Sequence, residues 1–128
     1  MTYTTKFTLN SAHITEEEKG LHGHTWICKI NVKGETDKDK FNCKIINKLK
    51  EQLDHKVILQ INEINKNFVY NITKLCGSEN LFLMHNDPTT EELCRLILMT
   101  LQIENNKLKY KVELNVVEAE SNNFVGIE

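Results

Sequence analysis

At 128 residues, 40% of them hydrophobic and 27% charged, the chain suits one globular domain, residues 1–128, with one core. Its formal net charge is −2 with lysines dispersed, so it offers no basic block for a nucleic acid or an anionic membrane. No apolar run approaches the roughly 20 residues of a membrane span, and the first residues lack the apolar stretch of a signal peptide.

Cys28, Cys43, Cys76 and Cys94 form no C-x-x-C pair. Cys28 and Cys94 fall on apolar faces, where a free thiol packs as a small hydrophobe. That pattern points to a reduced, cytoplasmic protein without disulfides.

From Tyr3 to His13 residue types alternate. Phe7, Leu9, Ser11 and His13 share one parity, while Lys6, Thr8 and Asn10 hold the other. This is a strand with a histidine at the end of its apolar face. A polar loop, Ile14 to Gly20, carries Glu16-Glu17-Glu18. A second strand runs from His22 to Lys33, with His22, His24, Trp26, Cys28, Ile30 and Val32 on one face. An antiparallel pairing of the two strands brings His13 beside His22 and His24.

Gly34 to Asp37 reads as a turn, and apolar residues at 41, 45, 46, 49 and 53 make a helical stripe closed by Asp54-His55. Ile58 to Cys76 is rich in asparagine and has no clean period, so it reads as a mostly irregular excursion with room for one short element. Gly77-Ser78 marks a turn. Asp87-Pro88-Thr89-Thr90-Glu91-Glu92 opens a helix, with Thr89 and Glu92 spaced as a capping box. Leu93, Leu96, Ile97 and Leu101 form its stripe. Lys107 to Ala119 alternates again, and Phe124–Ile127 reads as a short last strand. The expected architecture is α+β: four antiparallel strands in the order ββααββ, with two helices on one face.

His13, His22 and His24 form a set of three imidazoles with room for one metal ion. Zinc prefers nitrogen donors in tetrahedral geometry, and a catalytic site leaves one position for substrate or water. Iron or nickel would accept the same donors. Asp54 beside His55 suits either an oriented imidazole or a helix end that attracts a cationic ring. Glu118 continues an apolar face as a carboxylate. It is placed to accept hydrogen bonds from an amidine-like edge, as in pterins and guanines, or to reach solvent. Glu16 to Glu18 read as a solvated loop close in sequence to His22, and His85 as an ordinary loop histidine.

Taken together, five pieces in order resemble the 6-pyruvoyl-tetrahydropterin synthase family, which includes bacterial 6-carboxytetrahydropterin synthase. They are Phe7 to His13, Leu21-His22-Gly23-His24, Leu53-Asp54-His55, Pro88-Thr89-Thr90-Glu91 and Val116-Val117-Glu118. The resemblance implies a tunnelling fold (T-fold), subunits joined into a homohexamer of two trimers, and active sites between subunits. It implies Zn2+ on His13, His22 and His24, holding the side-chain hydroxyls of 7,8-dihydroneopterin triphosphate. Glu118 would anchor the pterin, Thr89, Thr90 and Glu91 would line its pocket, and Asp54-His55 would relay protons.

The chain departs from the usual pattern at the base. The family's usual cysteine is replaced by Glu18, as in a branch that cleaves the side chain to 6-hydroxymethyl-7,8-dihydropterin for folate synthesis. The expectation is therefore a lyase of that kind, with Glu18 as catalytic base. The 6-carboxy product of the queuosine route is the alternative, and a non-catalytic, zinc-containing pterin- or purine-binding protein is a rival of another class. Two further departures are Ile45-Ile46 in place of the usual Asp-Phe, and a longer stretch from Gln60 to His85.

Overall fold

The computed structural model describes residues 1–117 and 124–127. The chain begins with two long strands, β1 (Thr2–His13) and β2 (His22–Lys33), paired antiparallel in full register from Thr2↔Lys33 to His13↔His22. The alternation seen in the sequence is the cause. Tyr3, Phe7, Leu9, Ser11 and His13 are buried, as are Trp26, Cys28, Ile30 and Val32 on the same face of the neighbouring strand. A slip of one residue would expose that whole set, so the register is strongly held.

Helix α1 (Lys38–Leu53) starts at Asp37, whose carboxylate accepts a hydrogen bond from the Lys40 amide, and it buries Phe41, Ile45, Leu49 and Leu53. Helix α3 (Thr90–Glu104) starts at Thr89, whose hydroxyl accepts from the Glu92 amide. It buries Leu93, Cys94, Ile97, Leu98 and Leu101. Both helices pack on the apolar face of the sheet. Strand β5 (Lys109–Val116) pairs antiparallel with β2, and β6 (Phe124–Ile127) pairs antiparallel with β5.

Between α1 and α3 the structure departs from the sequence reading. Val57–Gln60 forms β3, Lys66–Cys76 forms α2 and Leu81–Met84 forms β4. Strand β3 runs parallel to β1, and β4 runs parallel to β3. Among the described residues the sheet is thus six-stranded and mixed, in the order β4-β3-β1-β2-β5-β6, and three α-helices accompany it rather than two. The expected four antiparallel strands are corrected to this arrangement.

The reason is a β-α-β crossover made of short pieces. Parallel neighbours need a long connection, and α2 supplies it. Ile58 joins the main core, whereas Val57 and Leu59 line one cavity together with Phe68 and Ile72 of α2. Helix α2 therefore lies against the opposite face of the sheet from α1 and α3. The asparagines that blur the period are turn residues at work. Asn62 Oδ1 accepts from the amides of Ile64 and Asn65, and the Asn65 side-chain amide donates to the Gln60 carbonyl. No helix of the described residues is long and apolar enough to cross a membrane.

Candidate metal centre

The β1–β2 register sets His13 directly opposite His22 and places His24 opposite Ser11. Among the described residues, His13, His22 and His24 form a group whose candidate ligand atoms all lie within 4.8 Å of one another. Their ring centroids are 4.5, 4.6 and 5.0 Å apart, and the rings meet edge to face. Trp26 closes the inner wall, with its ring 5.2 Å from both His13 and His24.

Two backbone carbonyls decide how the rings are presented. His13 Nδ1 donates to the Pro88 carbonyl at 2.8 Å, and His22 Nδ1 donates to the Gly20 carbonyl at 2.7 Å. A ring that donates from Nδ1 keeps a lone pair on Nε2, the atom a metal takes. Burial holds the His13 imidazole below its ordinary pKa. The neighbouring His22 and His24 push the same way, while the Pro88 carbonyl and Glu18 oppose them. A neutral ring is the form that ligates.

His22 Nε2 shows that the set suits a cation. The atom is buried and makes no hydrogen bond. Glu18 Oε2 stands 3.1 Å away, but a carboxylate offers no proton to a lone pair. A buried ring nitrogen facing another acceptor is costly, and a cation held by the three imidazoles removes that cost. Three imidazole nitrogens with a carboxylate at the rim suit zinc.

Glu18 is the one member of the acidic loop with a contact to this set. Its backbone is held by Thr15, whose buried hydroxyl accepts from the Glu18 amide at 2.9 Å. Glu16, Glu17 and Glu18 are all exposed, so it is this ion-pair distance and not burial that sets Glu18 apart. Thr90 Oγ1 accepts from Trp26 Nε1 at 3.2 Å, which ties the start of α3 to the site wall. Thr89 serves as the helix cap, and Glu91 faces solvent in an ion pair with Arg95 at 2.7 Å.

Asp54 and His55 form a separate unit beside β1. Asp54 Oδ1 accepts from the Asn10 amide at 2.7 Å, and Oδ2 lies 3.0 Å from His55 Nδ1. His55 has φ 57°, in the left-handed region that few side chains adopt, and its side chain is 78% exposed. The bond from its amide to the Asn10 carbonyl, at 2.6 Å, helps to hold it there. Glu118 lies outside the described residues. His85 sits in a bend after β4, as expected of a loop histidine.

Three contributors escape the sequence reading: the Pro88 carbonyl, the Gly20 carbonyl and Trp26. The Pro88 carbonyl leaves no side-chain signal. Trp26 shares the parity of His22 and His24, which is the signal for its place on the site wall.

The family model for 6-pyruvoyl tetrahydropterin synthase matches residues 2–128. Comparison with curated proteins finds no match. Among solved structures, the chain is similar to an uncharacterized protein from Wolinella succinogenes, at 15% identity and a TM-score of 0.76, over 99% of this chain and 97% of that one. It is also similar to 6-pyruvoyl tetrahydropterin synthase from Plasmodium vivax, at 16% identity and a TM-score of 0.65, over 99% and 98%. A mutant of the Plasmodium vivax enzyme, with a catalytic glutamate replaced by cysteine, matches at 18% identity and a TM-score of 0.63, over 99% and 97%. These likenesses establish the shared fold, and the match along nearly the whole sequence establishes the lineage: the chain belongs to the 6-pyruvoyl tetrahydropterin synthase family.

Proposed function

We propose that the protein is a zinc-dependent lyase that cleaves the side chain of 7,8-dihydroneopterin triphosphate to give 6-hydroxymethyl-7,8-dihydropterin. The observation that carries this reading is the Glu18 carboxylate, held 3.1 Å from a ring nitrogen of the histidine set. A glutamate described as catalytic in the Plasmodium vivax enzyme supports it.

His13, His22 and His24 would hold the metal. When bound, zinc polarises the side-chain hydroxyls and acidifies the bonds next to them. Glu18 accepts the proton of the hydroxyl two carbons from the ring. The bond between the first and second side-chain carbons breaks, the second carbon becomes an aldehyde, and the electron pair passes to the first carbon and the pterin ring. Asp54 orients His55, which returns a proton to the first carbon. Glu118 would accept hydrogen bonds from the pterin's N–H edge, and Thr89, Thr90 and Glu91 would stand at the solvent-facing rim of its pocket. The exposure of His55 supports a site completed by a neighbouring subunit in a homohexamer.

Incubating the zinc-loaded protein with 7,8-dihydroneopterin triphosphate and separating the pterins tests the reading. The hydroxymethyl pterin is expected. The 6-carboxy or 6-pyruvoyl compound alone would replace the assigned reaction with that of the other branches. Tight pterin binding without turnover would favour a binding protein instead.

A further inference from the structure

Asp87 stands out on charge alone. It sets a carboxylate against the acidic loop Glu16-Glu17-Glu18, where like charges repel. Its contacts account for that placement. The Glu16 amide donates to both Asp87 carboxylate oxygens, at 3.0 and 3.2 Å. A bond from an amide to a charged oxygen is among the stronger ones a loop can make.

The neighbours of Asp87 make the same kind of connection. Pro88 offers its carbonyl to His13, and Thr90 offers its hydroxyl to Trp26. One short segment at the start of α3 therefore holds three walls of the site: the acidic loop, the metal-side histidine and the indole. On the far side of the loop, Thr15 bonds Glu18 twice, accepting from its amide at 2.9 Å and donating its own amide to the Glu18 carbonyl at 3.0 Å. Residues 16–20 are all exposed, so little apolar packing holds the loop tip. A segment with so few buried contacts keeps one conformation only through such bonds.

We propose that Asp87 is a positioning residue that latches the acidic loop so that the Glu18 carboxylate stands beside His22. Thr15 is the second point of that latch. The effect on catalysis rests on the reading of Glu18 as base, whereas the latch itself concerns only contacts within this chain.

The test is hydrogen–deuterium exchange across residues 14–20 of the full zinc-loaded chain, alongside turnover of 7,8-dihydroneopterin triphosphate. In Asp87→Ala, loop amides should exchange roughly tenfold faster. Turnover number should fall about tenfold to a hundredfold while KM and zinc affinity stay within about twofold. Asp87→Asn keeps an oxygen acceptor and should recover most of both. Thr15→Val removes the hydroxyl half of the other tie at near-constant shape and should give the same split in the same direction, which covers the case of an unfolded alanine variant. Unchanged exchange in these variants, or faster exchange with unchanged turnover number, would overturn the proposal. If the wild-type protein turns nothing over, the proposed activity fails, and loop exchange alone then decides the latch.

Discussion

His13 and Pro88, separated by 75 positions in the chain, meet through one hydrogen bond of 2.8 Å from the ring Nδ1 to the backbone carbonyl. That bond links the end of β1 to the start of α3 and turns the His13 Nε2 lone pair toward His22 and His24. The Gly20 carbonyl does the same for His22. Two of the three rings are thus set in tautomer and direction by backbone carbonyls alone. Trp26, fixed by Thr90, closes the inner wall.

Glu18→Gln tests the assigned base. The change keeps size and hydrogen bonding at the loop and removes the proton acceptor. Turnover should fall by roughly 10²- to 10⁴-fold, within the range for general base catalysis. Zinc content and pterin affinity, the latter followed by ligand fluorescence, should hold. Undiminished turnover would place the base elsewhere.

Much of this site was legible in residue order because strands and helices write their faces into sequence. The parity of Phe7 to His13 and of His22 to Val32 gave the hairpin, and the observed pairing of His13 with His22 follows from it. Thr89 announced the start of α3 through its side chain. The crossover from β3 to β4 stayed hidden because its strands have four residues each, too few to display a period. Its helix is masked by asparagines at the turn. The Pro88 and Gly20 carbonyls were hidden for a different reason: any residue supplies a carbonyl, so only the fold assigns them a role.

The cap on α3 should be measurable as stability. Thr89→Ala removes the acceptor for the Glu92 amide. It should cost about 1 kcal/mol. For a chain of this size, that lowers the melting temperature by roughly 3–5 °C. Because Thr89 follows Pro88, the nitrogen-15 signals of the His13 ring should shift as well, and a melting curve unchanged by the substitution would remove the cap from the account.

The cysteines should divide by burial. Cys28 and Cys94 are fully buried, and burial pushes the Cys94 thiol up to about 11 and that of Cys28 higher still. Cys43 is exposed. Iodoacetamide followed by peptide mass analysis should mark Cys43 in the folded protein, and Cys28 and Cys94 only after unfolding. Labelling of Cys28 under native conditions would contradict the core described above.

Acid should weaken the metal-free protein through His13. Burial keeps the folded-state pKa of this ring below its ordinary value, so as pH falls the unfolded chain takes up the proton first. The associated stability is present above about pH 6.5, the unfolded value, and is lost as pH drops through the lower native value. Melting temperatures of chelator-treated protein should decline across that window, and His13→Gln should flatten the decline. A profile identical in the two proteins would remove His13 as its source.

The most direct test of the central claim is the zinc content of the full chain purified without chelator, measured by mass spectrometry of the metal for the wild type and for His13→Ala, His22→Ala and His24→Ala. About one zinc per wild-type chain is expected, by the three-histidine coordination of catalytic zinc, with a large loss in each variant. Wild-type protein that binds no zinc even when the metal is supplied, or variants that retain it fully, would contradict the account.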